Sequence, residues 1–225
     1  MIDTNQLIDY GVFMANWYEV LLNPSDEHGK RRTALLQAAF DVIATAGFEG
    51  LRTRAVAERA GVNIATLHYY FATKQDLIEG LAQLISAKFV AIHGPAPSPS
   101  GFPALDRLRQ EVSDGQYYLQ HQPEMLLMLQ EFGLRGRRDA QVQQIVERMN
   151  SHWRAGLEQM LREGVDDGTF RTDLGAEELL TMLMTILAGM ITIGGDQRMI
   201  ERNLESWILS ERTKEKLKGE QGGER

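Results

Sequence analysis

Two short apolar segments joined by a glycine turn constrain this chain more than any other feature. Residues 54–60 and 64–70 each read as a helix of two turns, with Gly61-Val62-Asn63 between them. Paired short helices with a glycine in the connection form the helix-turn-helix arrangement. Val56, Ala57, Ala60, Val62 and Leu67 are spaced to share a core with an amphipathic segment at 31–46. That segment carries Leu36, Phe40 and Ile43 on one stripe, flanked by Leu35, Ala39 and Val42. A generic three-helix bundle has the same short apolar helices, so the outer face of the second helix must separate the two readings.

That outer face holds Ile64, Ala65, Thr66, His68, Tyr69 and Tyr70, which is not a charged, solubilising set. Threonine and alanine pack on a thymine methyl, and hydroxyls and imidazoles bond base edges or phosphates. Tyrosines here are long enough to reach a sugar-phosphate backbone. Core packing is the alternative for the aromatic residues. It is the preferred reading for Leu67 and Phe71, and it stays open for one of the two tyrosines. Lys74 opens the next helix, where free N–H groups already favour a phosphate; a lysine there is otherwise solvated surface, and its place directly after 64–70 favours the phosphate reading.

Local signals delimit the elements. Gly47 ends the 31–46 helix. Thr53 is expected to cap 54–60, Asn63 to cap 64–70, and Thr73 to cap a long fourth helix from 74 to about 92, with Asp76 favouring its N-terminus. A breaker-rich loop occupies 94–103. Helices are expected over 104–120, 123–134, 139–166, 176–193 and 197–216. No sustained period-2 alternation appears, so the fold class is all-α.

The net charge of −7 argues against a nucleic-acid ligand until its distribution is read. Residues 1–29 hold five acids and no Lys or Arg, whereas 30–80 hold seven bases against five acids. Only a local basic surface is needed to meet phosphate. The chain has no cysteine, which excludes disulfides, thiolate zinc sites and thiol catalysis. The histidines are scattered, with no HExxH, nucleophile–base arrangement or phosphate-binding glycine loop. No catalytic residue, metal site or cofactor is expected. No positively charged leader and no membrane-spanning run is read, which fits a cytoplasmic protein.

Residues 104–195 are rich in methionine and aromatic residues at helical spacing. Tyr117, His121, Met125, Met128, Phe132, Met149 and Trp153 read either as core filling or as the lining of an apolar small-molecule pocket, with His121 and Glu131 as its polar groups or, as the commoner alternative, exposed on the surface. The 177–193 segment is apolar almost all round and so must be buried on more than one side. Leu179, Leu183, Ile186, Leu187 and Met190 are the candidate dimerisation residues, with an internal core helix as the alternative. Residues 1–29 are too apolar for a disordered arm and are expected to add a helix.

The run Thr53-Arg-Ala-Val-Ala-Glu-Arg-Ala-Gly-Val-Asn-Ile-Ala-Thr-Leu-His-Tyr-Tyr-Phe-Ala-Thr-Lys-Gln-Asp-Leu77 resembles the DNA-binding signature of the tetracycline-repressor (TetR) family. Ala38-Ala-Phe followed by Gly47-Phe-Glu-Gly50 resembles that family's first helix and its end. The likeness covers about 31–80. Beyond it, Leu161-Arg-Glu-Gly-Val-Asp-Asp-Gly-Thr-Phe-Arg171 resembles a common family feature. The resemblance implies a DNA-binding domain at 30–76 and an effector-binding and dimerisation domain at 77–216; residues 1–29 are an extension to that pattern, and the glycine-rich tail at 217–225 is expected to be disordered from its composition. It implies DNA-facing positions at Thr53, Arg54, Ile64, Ala65, Thr66, His68, Tyr69, Tyr70 and Lys74. His68 stands where the family often has tyrosine. The pocket would lie among the middle helices and the dimer contact in the last two. The implied function is a homodimeric regulator, a repressor, binding palindromic double-stranded operator DNA and released by a small-molecule effector. An enzyme or a protein-interaction module on the same helical fold is the alternative.

Overall fold

The computed structural model describes residues 21–92 and 99–222, with the backbone only at Gln197 and at 220–222. Among the described residues there are ten α-helices and no strand. They are α1 (Glu27–Ala46), α2 (Thr53–Arg59), α3 (Ile64–Tyr70), α4 (Lys74–Ala91), α5 (Pro103–His121), α6 (Pro123–Gly136), α7 (Ala140–Asp166), α8 (Ala176–Ile193), α9 (Gln197–Ile208) and α10 (Glu211–Gly222), with a 3-10 turn at Phe48–Gly50. The all-α expectation holds. The extra helix expected within 1–29 lies largely outside the described residues. Of that segment, Leu21 and Leu22 are helical, Leu21 is buried, and its carbonyl accepts a hydrogen bond from the Thr33 hydroxyl at 3.0 Å.

The chain divides into two compact units. The first joins Met1–Ile92 to Glu124–Met149. Its core takes Leu35, Leu36, Ala39, Phe40 and Ile43 from α1, Val56 and Ala57 from α2, Leu67 from α3, and Leu77 and Leu81 from α4. Met125, Met128 and Phe132 of α6 are buried in the same unit. Helix α1 begins earlier than its apolar stripe suggests, because Asp26 accepts from the Gly29 amide and starts the helix at Glu27.

The second unit joins His93–Pro123 to Asn150–Arg225. Its core gathers Leu105 and Leu108 of α5, Leu157 and Leu161 of α7, Leu179, Leu183 and Leu187 of α8, and Leu204 and Ile208 of α9 around Phe170. Arg109 and Glu205, each about one-fifth exposed, pair at 2.6 Å, and the hydrogen bond raises the guanidinium pKa. The single helix expected over 197–216 is in fact two. Ser210 leaves the helical path to donate its amide to Thr169 O at 3.0 Å, and Phe170 and Leu209 form an isolated antiparallel bridge. Ser210 Oγ then accepts from the Thr213 amide and restarts the chain as α10. That helix continues through 217–222, where a disordered tail was expected.

Candidate nucleic-acid interface

The geometry of the first unit is set by caps. Gly47, at φ +67°, ends α1, and the 3-10 turn carries the chain to Arg52. Thr53 is not the cap of α2. Arg52 takes the extended cap conformation and its carbonyl accepts from Val56 N, so Thr53 becomes the first helical residue. Gly61, at φ +65°, makes the turn that a residue with a Cβ would disfavour. Asn63 caps α3 as expected, its Oδ1 accepting from Thr66 N at 2.8 Å and from the Thr66 hydroxyl at 3.0 Å. Thr73 and Asp76 form a reciprocal capping box at the start of α4.

With Leu67 and Phe71 buried, the phase of α3 is fixed. Ile64, Ala65 and His68 face outward, and Tyr69 is 75% exposed, which removes it from the core. Tyr70 is half-buried because His28, from the first turn of α1, lies against it with ring centroids 4.7 Å apart. His28 also meets the edge of Tyr69 at 6.1 Å, and the two tyrosines meet each other edge-on at 5.1 Å. Three aromatic rings from two distant stretches of sequence thus form one outward cluster. Sequence reading missed His28, because no local signal links the start of α1 to the end of α3.

The positive charges around this face are unequally free. Arg54 and Lys74 are exposed, as is Arg52. Arg59 is committed to Asp41 at 3.2 Å, tying α2 to α1. Of the Lys30–Arg32 run, Lys30 pairs with Glu27 at 2.8 Å and Arg32 lies over the Phe71 ring at 5.3 Å, its pKa lowered by burial. Lys74 also has a lowered pKa, first from partial desolvation and then from the nearby charge of Arg135, with Arg52 acting in the same direction.

The residues considered for an effector pocket have local roles. Tyr117 and His121 stack on each other at 4.6 Å along α5, and Trp153 donates its indole N–H to Glu111 at 3.0 Å. Met125 and Met128 are fully buried, Phe132 packs edge-on against Phe48 at 5.3 Å, and Met149 is half-buried. Glu131 accepts from the Phe48 amide at 2.7 Å and so holds the start of the 3-10 turn. The dimerisation candidates Leu179, Leu183, Leu187 and Met190 are buried in the core of their own unit, with Ile186 packed against it. The outward stripe of α8 is a different one, made of Thr181, Met182, Thr185, Ala188, Thr192 and Ile193.

Two family profiles match in succession. "Bacterial regulatory proteins, tetR family" matches residues 35–81, and "Tetracyclin repressor-like, C-terminal domain" matches 105–212. The chain belongs to the tetR family. Among tetR-type proteins it is similar to the HTH-type transcriptional repressor KstR of Rhodococcus jostii, 31% identical over 44% of this chain and 45% of that protein, so less than half of that relative's length is matched. It is similar to the HTH-type transcriptional repressor KstR2 of Mycolicibacterium smegmatis, 26% identical over 65% of this chain and 71% of that protein. Salmonella enterica GusR shares the fold, with a TM-score of 0.66 at 16% identity over 82% of this chain and 96% of that one. These tetR-family relatives are named as transcription regulators and not as enzymes.

Proposed function

We propose that this tetR-family chain is a transcriptional repressor that binds palindromic operator DNA as a homodimer and is released by a small-molecule effector. The observation that carries the DNA-binding reading is the outward face of α3. Ile64, Ala65, His68 and Tyr69 are exposed on a capped, well-packed helix, with the exposed cations Arg54 and Lys74 beside it. An uncharged face reads base edges while flanking cations hold phosphates. Two such heads would enter successive major grooves about 34–36 Å apart.

The dimer reading is supported by α8. It has the length and apolarity to cross a membrane, yet one side of it is the core of its own unit. On the other side the hydroxyls of Thr181, Thr185 and Thr192 donate to carbonyls one turn back and so are satisfied within the helix. Such a stripe suits a second copy of the helix. The effector reading rests on the family likeness, as does action in the cytoplasm, where the DNA is. An effector would shift occupancy only by its difference in affinity for the DNA-bound and free forms.

The test is a gel shift with the DNA upstream of the chain's own gene, at low and physiological salt. A discrete, competitor-resistant complex is expected. No complex at either salt, with a folded dimer in hand, overturns the reading in favour of a protein-interaction role.

A further inference from the structure

The turn between α6 and α7 carries a charge that the helix-turn-helix does not account for. Arg135, Arg137 and Arg138 fall within four residues of a chain whose net charge is −7. Arg135 is held in place by Glu49 of the 3-10 turn at 3.2 Å and by Asp139 at 2.9 Å, and its guanidinium lies 5.8 Å from the centre of the Phe48 ring. The backbone of the turn is pinned as well. Arg138 N donates to Arg135 O at 2.9 Å, and Gly136 is packed so closely that a Cβ there would lie 3.3 Å from the Gln143 backbone. Arg137 and Arg138 project from this rigid corner, both exposed and without a side-chain partner among the described residues.

The corner belongs to the same unit as the DNA head, and its Arg135 pairs with Glu49 of the 3-10 turn that leads to α2. The ammonium of Lys74 senses Arg135 and Arg52 as like charges, and Glu49 and Asp139 as opposite ones. Arg52 and Arg135 therefore both lie within electrostatic reach of Lys74, and Arg137 and Arg138 follow Arg135 by two and three residues, both exposed. Of the carboxylates here, Glu49 and Asp139 are engaged by Arg135, and Asp76 is engaged by the Thr73 amide at the start of α4. Exposed cations left without a partner repel one another, and a polyanion relieves that repulsion. The helix start at Lys74 favours phosphate.

We propose that the α6–α7 turn is a second DNA-backbone contact, in which Arg137 and Arg138 bind phosphates flanking the major-groove segment read by α3. The inference rests on the DNA-binding reading above and extends it. The operator footprint of each subunit is then longer than the helix-turn-helix alone would cover. The contact is indifferent to sequence and adds affinity by releasing counterions.

The test uses the full-length protein and duplexes that the wild type enriches from a random library, each made with long and with trimmed flanks. The variant is Arg137→Gln with Arg138→Gln, two exposed side chains whose replacement leaves the melting temperature unchanged. On long duplexes the variant binds several-fold more weakly. Its plot of log affinity against log salt is shallower by about 0.9 for each phosphate that it no longer neutralises. On trimmed duplexes the wild type falls to the level of the variant. Equal affinity and salt slope on long duplexes overturns the proposal, and so does an equal weakening on long and trimmed duplexes. Lys74→Ala separates the two readings, since it weakens binding to both lengths if the helix-turn-helix is the primary contact. A wild type that enriches no duplex brings down both.

Discussion

The imidazole of His28 lies 4.7 Å from the ring of Tyr70, with the two planes inclined at 38°. The contact joins the first turn of α1 to the last turn of α3 and holds both tyrosines at the outer edge of the recognition helix. An aromatic pair of this kind contributes about 0.5–1.5 kcal/mol beyond simple burial. His28→Ala is expected to weaken operator binding several-fold by freeing the tyrosines, while His28→Phe restores most of it. Fluorescence anisotropy on one duplex reads both, and equal weakening in both variants would show that the ring is not the cause.

On the proposed reading, Tyr70 and Lys74 stand at the end of this surface that meets phosphate. Tyr70→Ala and Lys74→Ala should each weaken binding across all duplex sequences. Lys74→Ala should also flatten the salt dependence by about one counterion per subunit. Thr66→Ala should change the preference among operators instead. Competition titrations at several salt concentrations separate these behaviours.

Glu131 accepts from the Phe48 amide at 2.7 Å, and Phe132, its neighbour in α6, packs on the Phe48 ring. Removing the acceptor leaves a partly buried N–H unpaired. Glu131→Ala is expected to lower stability by about 1–2 kcal/mol, and Glu131→Gln, which retains a carbonyl acceptor, by less. Denaturant unfolding measures the difference, and identical midpoints for the two variants would remove the assignment.

Glycines at two close approaches make a matched pair. A Cβ on Gly164 would overlap the ring of Phe170, which is fully buried and has no room to turn. A Cβ on Gly115 would overlap only the Met190 methyl, the free end of a flexible chain. Gly164→Ala should therefore cost about 1–3 kcal/mol through overpacking and Gly115→Ala distinctly less. Thermal melts of the two variants decide the order.

The outward stripe of α8 gives the dimer prediction. Met182, 44% exposed, and Thr185 lie outside the core of their own unit, so a charge there leaves the subunit's folding intact. Met182→Glu with Thr185→Glu should convert a dimer to a monomer in sedimentation experiments and reduce operator affinity with it. Leu183→Glu, in the buried stripe, should instead unfold the second unit.

Several elements were legible from sequence because their signals are local. Asn63 caps α3 by reaching Thr66, Thr73 and Asp76 close a box across a single turn, and Gly61 bends the chain where it stands. The apolar phase of α1 and α3 likewise fixed which residues of the helix-turn-helix are inside, Leu67 and Phe71 among them. Local signals also misled by one position at Thr53, where a residue with good capping chemistry proved to be the first residue of the helix.

The sequence by itself therefore determined the all-α class, the position of the helix-turn-helix and the outward placement of Ile64, Ala65, His68 and Tyr69 on α3, since each follows from spacing within a few residues. Tertiary structure alone decided which charges stay free, because the partners of Arg59 and Arg135 are contributed by other helices or turns. It alone placed His28 on Tyr70 and Glu131 on Phe48. It also chose the buried stripe of α8, since a helix apolar on all sides carries no phase from which its inner face can be read. And it broke the last helical run at Ser210, where the backbone found a better partner in Thr169 than in its own preceding turn.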